Sequence, residues 1–113
     1  MTTYRELVQR VLACRHADTE LGLGRAREQE GFVLNVSRLL DKGGFTYRAR
    51  MDSQFRVTFC VEWDDCDFDV QRRAVWQTIA AVYEVYPWRD GIEVASIRPD
   101  GYACYIVLGD VPQ

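Results

Sequence analysis

The chain has 113 residues, of which 48% are hydrophobic, and its formal net charge is −3. This length and composition predict one globular domain over residues 1–113 and exclude a disordered chain. The first ten residues carry three charged side chains and no apolar run is long enough to cross a bilayer, so we expect a cytoplasmic protein without a membrane partner. The negative net charge argues against a general nucleic-acid-binding protein.

The first half of the chain begins with two helical patterns. Thr3 followed by Glu6 matches a capping box, and the apolar spacing behind it predicts a first helix over about residues 3–16. A polar stretch with several glycines comes next and predicts a loop whose charged end begins a second helix. An apolar stripe at residues 32–40 continues that helix, and Gly43–Gly44 predict its C-terminal cap.

Two runs with a period of two follow, at residues 45–51 and 55–63, and the linker 52–54 has the length of a hairpin loop. Each run alternates apolar with polar side chains. We therefore predict a β-hairpin with one buried and one solvent-exposed face. The exposed face carries three arginines, Arg48, Arg50 and Arg56.

A third helix and a second hairpin complete the pattern. Apolar residues at helical spacing run through 75–86, and Pro87 predicts the end of this helix. Two further runs, at 92–98 and 102–108, flank the turn signal Pro99-Asp100-Gly101. Both faces of the last run are apolar, which is typical of a central strand or of one covered by helices on both sides.

These elements predict an α+β fold. Two N-terminal helices precede a β-hairpin, a helix and a second β-hairpin. We expect the helices to pack on an antiparallel sheet of about four strands. No internal repeat is present in the sequence.

The strongest feature of the sequence is an acidic segment between the first hairpin and the third helix. It places five carboxylates within eight residues and contributes −5 to the formal charge: Glu62, Asp64, Asp65, Asp67 and Asp69. A helix start accounts for two of them, Asp67 and Asp69. The N-cap would be Asp65, Asp67 or Asp69, and carboxylates in the first turn would complement the helix dipole. Glu62, Asp64 and Asp65 have no such structural reason.

We expect the five carboxylates to bind a basic surface of another protein, with Trp88 as an aromatic anchor. A nucleic-acid-binding protein would offer such a surface. By analogy of size and charge, the chain is similar to inhibitors, immunity proteins and adaptors, including phage proteins that act against host defence. We therefore predict a non-enzymatic protein-binding domain.

Three alternatives remain open. Arg48, Arg50 and Arg56 on the exposed face of the first hairpin would suit a nucleic-acid-binding module, although the aromatic residues of that hairpin have the buried parity. Asp65, Asp67 and Asp69 match the first three ligands of a calcium loop. The two-faced last strand would also allow a homodimer.

Catalytic and cofactor motifs are absent from the sequence. No GxSxG, HExxH or P-loop pattern occurs, and the four cysteines have neither zinc-finger spacing nor the density of a disulfide scaffold. We therefore predict no enzymatic activity, no bound metal and no cofactor, and we expect free thiols.

Overall fold

The computed structural model describes residues 3–14, 21–62, 67–96 and 102–108. This part of the chain forms an α+β fold, which confirms the predicted class. Its helices and strands, in chain order, are α1 (Tyr4–Leu12), α2 (Leu21–Lys42), β1 (Tyr47–Met51), β2 (Val57–Val61), α3 (Phe68–Ala80), β3 (Glu84–Trp88), β4 (Gly91–Ala95) and β5 (Ala103–Leu108).

The sheet has five strands in the order β1-β2-β5-β4-β3. The two predicted hairpin pairings, β1 with β2 and β4 with β5, are confirmed as antiparallel. The expected all-antiparallel sheet of about four strands is wrong, because β2 pairs with β5 in parallel. After β2 the chain crosses through α3 and then makes two antiparallel pairings, so that β5 runs in the same direction as β2. The predicted central position of the last strand is confirmed.

The fifth strand, β3, lies where the sequence predicts the end of the third helix. That helix was expected to continue to Tyr86, but α3 ends at Ala80 and the chain turns before Glu84. Tyr86 and Trp88 have high strand propensity, and the short segment between two turns extends the sheet. Pro87 is tolerated within β3 because β3 is an edge strand, where a missing N–H leaves no neighbour unpaired.

The ends of the first two helices follow local capping chemistry. Thr3 caps α1, and its hydroxyl accepts from the Glu6 N–H at 3.2 Å, as predicted. The helix ends at Leu12, four residues earlier than expected. In α2 the helix already begins at Leu21, so much of the glycine-containing stretch predicted as a loop is helical.

The C-terminus of α2 is a glycine cap. Gly44 has a φ of 80°, a left-handed conformation that glycine adopts without steric cost. The N–H of Phe45 donates to the Leu40 carbonyl at 3.1 Å, and the N–H of Gly44 donates to the Asp41 carbonyl at 3.0 Å. This pair of hydrogen bonds is a Schellman motif, which confirms the predicted stop. Among the described helices, none is long and apolar enough to cross a membrane.

All three helices contribute to one hydrophobic cluster on one face of the sheet, the inner face. The strand residues of this cluster alternate with residues that point to the other face. Its fully buried members include Val36, Leu40, Phe55, Val57, Val61, Ile79, Ile92, Val94, Cys104 and Ile106. The helices therefore lie on one side of the sheet only.

A buried polar contact joins α1, α2 and the first hairpin turn. The amide of Gln29 donates to the Tyr4 hydroxyl at 3.1 Å and also to the Phe55 carbonyl. The Tyr4 hydroxyl donates in turn to the Ala26 carbonyl at 2.5 Å. Phe55 was predicted as the first residue of the second strand, but it has a φ of 63° and lies in the turn, with its side chain fully buried. Strand β2 consequently begins two residues later.

We expect Gly91→Ala to lower the free energy of unfolding by about 1–3 kcal/mol, because the added methyl group overlaps the main chain of Ile106. The matched control is Gly24→Ala in α2, where a Cβ meets no atom within 4 Å. There alanine should stabilise the helix by up to about 1 kcal/mol. Urea unfolding, monitored by circular dichroism, measures the free energy of unfolding of both variants. A Gly91→Ala protein as stable as the wild type would contradict the close approach of β4 and β5.

Alkaline pH should weaken the contact between Tyr4 and Gln29. Burial raises the pKa of Tyr4 from 10.0 to about 12, so the folded state favours the neutral phenol. The stability that this group contributes is complete below about pH 10 and is lost as the pH rises to about 12. The advantage of the wild type over Tyr4→Phe in urea unfolding should therefore shrink across this interval. A constant difference between the two proteins would show that Tyr4 does not titrate in this range.

Candidate functional site

One end of the sheet collects acidic residues from separate segments of the chain. Glu62 directly follows β2, and Asp90 directly precedes β4. Because Val61 pairs with Leu108, whose N–H donates to the Asp90 carbonyl at 3.3 Å, these two acidic residues lie at the same end. The start of α3 lies there as well, since Arg72 Nε donates to the Gly91 carbonyl at 3.2 Å. We call this group of residues the acidic end: Glu62, Asp67, Asp69 and Asp90.

The carboxylates that begin α3 behave as the sequence predicts. Asp67 is the N-cap, and its Oδ1 accepts from the Asp69 N–H at 2.9 Å. Asp69 is exposed in the first turn, where its charge complements the helix dipole. The exposed Glu62 has no role in this cap. Asp64 and Asp65, which the sequence also predicts to bind a partner, lie outside the described residues.

The acidic end has no cationic partner within the part of the chain that the structure describes. Arg56 forms an ion pair with Asp52, at 2.9 Å, but this pair lies in the first hairpin turn. Helical spacing would let Asp69 meet Arg72, but the Arg72 guanidinium instead lies 5.8 Å from the centre of the Trp76 ring and donates to the main chain. The negative charge of Glu62, Asp67 and Asp69 is therefore available to an external cation.

Trp88 borders the acidic end but faces the second surface of interest, the outer face of the sheet. In the sheet, Trp88 pairs with Gly91 at the start of β4. Its ring centre lies 4.4 Å from that of Tyr105 on β5, and the Arg89 guanidinium lies 4.9 Å from the ring. Because Gly91 has no side chain, the Trp88 ring can extend across β4 to reach Tyr105.

The strand registers define two complete rows across the outer face. The row nearest the acidic end consists of Arg48, Cys60, Val107, Gly91 and Trp88. The next row consists of Arg50, Thr58, Tyr105, Glu93 and Tyr86. Tyr86 is 49% exposed. No described helix covers these side chains, because the helices pack on the inner face.

The predicted arginine surface is only partly formed. Arg48 and Arg50 are exposed on the outer face of β1, as the alternation predicts. Arg56 precedes β2, and its charge is neutralised by Asp52. Sequence reasoning missed the exposed Tyr86 of this face, because the helical spacing assigned it to the third helix. Glu84, Tyr86 and Trp88 stand at every second position, and this period of two was the sequence signal that would have identified β3.

The pKa values of Cys104 and Tyr86 are raised, which favours their neutral, non-nucleophilic forms. Cys104 is fully buried, and burial raises the pKa of its thiol. A hydrogen bond to Glu84 raises the pKa of Tyr86. The described cysteines, Cys14, Cys60 and Cys104, form no disulfide bond, and Cys66 lies outside the described residues.

The calcium-loop match ends where α3 begins. In a calcium loop the ligands come from a twelve-residue loop that turns sharply at a glycine in its sixth position. Here Phe68–Ala80 is helical, so the positions after Asp67 cannot wrap around an ion. Within the described residues, no group of three or more His, Cys, Asp or Glu side chains is arranged to hold a metal.

Comparison with protein-family models, with curated proteins and with solved structures finds no match for this chain.

Proposed function

We propose that this protein is a non-enzymatic binding domain whose acidic end contacts a basic surface of another protein. The supporting observation is the convergence of acidic residues from separate segments. Glu62 follows β2, Asp67 and Asp69 begin α3, and Asp90 precedes β4, yet all four lie at one end. In the sequence, Asp64 and Asp65 lie between Glu62 and Asp67.

The electrostatics of the acidic end suit association with a basic partner. Exposed like charges without counter-ions produce a local negative potential that accelerates encounter with a cationic surface. The Asp67 carboxylate already accepts a hydrogen bond at the start of α3, whereas within the described residues the Glu62 carboxylate has no hydrogen bond. Trp88 lies beside the carboxylates and offers an apolar contact, and such a pairing of aromatic and charged groups is common at interface hot spots. A domain of this kind would act by covering the basic surface, as an inhibitor or an adaptor does.

One observation favours a second candidate function, the binding of single-stranded nucleic acids. The outer face carries three aromatic residues, Tyr86, Trp88 and Tyr105, together with Arg48 and Arg50, and single-stranded nucleic acids bind to stacking surfaces flanked by positive charge. The same face also carries Glu84 and Glu93, which would repel phosphates. The acidic end therefore remains the better-supported binding surface.

Neutralising the acidic end should weaken binding to a cationic probe. We expect the double variant Glu62→Gln with Asp69→Asn to bind a fluorescently labelled oligoarginine peptide roughly three- to tenfold more weakly than the wild type. The loss should be larger at low than at physiological ionic strength, because the contacts are exposed. Asp67 is left unchanged so that the cap of α3 is retained. Fluorescence anisotropy across a salt series measures the affinity.

The matched control is Glu6→Gln with Glu30→Gln, which removes two negative charges from α1 and α2. Both double variants have the same net charge, so a difference between them reports the position of the charges. Affinity capture with the wild type and the two variants then identifies natural partners that depend on the acidic end. Equal weakening in the two double variants would mean that only net charge matters, and the proposal would be rejected.

A further inference from the structure

The outer face of the sheet has an uneven distribution of charge. The positive side chains of its strands, Arg48 and Arg50, lie on β1 at one edge of the sheet, and Arg89, which follows β3, adds one positive charge beside the Trp88 ring. Its negative side chains, Glu84 and Glu93, lie on β3 and β4 at the opposite edge. The central strand β5 contributes uncharged side chains between them, Ala103, Tyr105 and Val107.

This distribution favours a protein surface over a nucleic acid as the occupant of the outer face. A nucleic acid binds where positive charge is in large excess, whereas Glu84 and Glu93 offset two of the three arginines at this face. Trp, Tyr and Arg, which are the residues enriched at protein interfaces, are all present on this face. The Trp88 and Tyr105 rings, whose centres lie 4.4 Å apart, form its apolar part.

A surface with opposite charges at its two edges is complementary to a second copy of itself. If two outer faces pack about a two-fold axis parallel to β5, the β1 edge of each copy lies over the β3 edge of the other. Arg50 then faces the glutamate edge of the second copy. Val107 and Tyr105 meet their own equivalents near the axis. An axis perpendicular to the strands would instead place arginine over arginine.

We propose that the protein forms a symmetric dimer in which the outer faces of two copies pack together as a β-sandwich, with Tyr105 and Val107 at its centre. The geometry agrees with aligned sheet packing, in which two sheets lie about 10 Å apart. Five strands of about five residues give a face of roughly 24 by 17 Å. This is small for a permanent dimer, so we expect dissociation constants in the micromolar range.

The dimer does not depend on the proposed binding of a basic partner. Its interface is the outer face, and the acidic end stays exposed where the strands end. Because the axis runs parallel to β5, both acidic ends point in the same direction. The dimer would thus present two acidic ends to one large cationic partner.

A charge-swap experiment tests the dimer. One variant carries Arg48→Glu with Arg50→Glu, and the second carries Glu84→Arg with Glu93→Arg. Each variant alone places like charges opposite each other, so its self-association should weaken about tenfold or more. In an equimolar mixture both sets of contacts become attractive again, and a heterodimer should form. Sedimentation velocity over a concentration series and native mass spectrometry measure these species, and circular dichroism checks the fold of each variant.

The expected result is a wild-type dimer at high concentration, monomeric variants, and a heterodimer in the mixture. If Glu93→Arg disturbs the fold, Glu84→Arg alone replaces the second variant, because Glu84 is exposed on an edge strand. A wild type that stays monomeric, or a wild-type dimer whose variants fail to pair with each other, would overturn the proposal. So would binding of single-stranded oligonucleotides by a monomer that is lost with the arginines. Oligoarginine binding is measured in a separate experiment, and its result does not depend on whether the dimer forms.

Discussion

The parallel pairing of β2 with β5 is the contact on which the remaining architecture depends. It places β5 in the centre of the sheet and separates the two hairpins that the chain forms locally. Because the C-terminal ends of two parallel strands coincide, Glu62 after β2 lies at the same end as the main chain that contacts Asp90. The same pairing aligns the rows of the outer face across all five strands. Both candidate surfaces therefore result from one non-local contact.

The one-sided packing of the helices follows from the alternation of the strands. Apolar residues of one parity fill the inner face, and the buried contact of Gln29 with Tyr4 and Phe55 connects two helices to the first hairpin turn. Because the buried Gln29 amide donates to both of these residues, it specifies how the three segments meet. With α1, α2 and α3 all on the inner face, the second apolar face of β5 has no helix of the described chain to cover it. This is the physical basis for expecting a partner there.

The proposed function is binding, and we propose no catalytic role. The described groups with altered pKa values, three tyrosines and Cys104, are all shifted toward their neutral forms, which suits packing and hydrogen bonding. The two surfaces differ in physical character. The acidic end is exposed and has an excess of negative charge, so it suits a rapid, salt-sensitive encounter with a cationic partner. The outer face is aromatic and carries charges of both signs, so it suits a closely packed contact.

The sequence by itself determined the features that depend on a few neighbouring residues. The Thr3 cap, the glycine stop of α2, the alternation of the first hairpin and the central place of the last strand could all be predicted, since caps, turns and periodicity are local. It also identified Glu62, Asp67, Asp69 and Trp88 as candidate site residues. Only the tertiary structure decided that β2 and β5 are parallel, that the segment ending at Trp88 is an edge strand, and that Asp90 and Tyr105 join the candidate surfaces. These outcomes depend on which distant segments pair, and the energy of that pairing is not encoded in the pattern of any one segment.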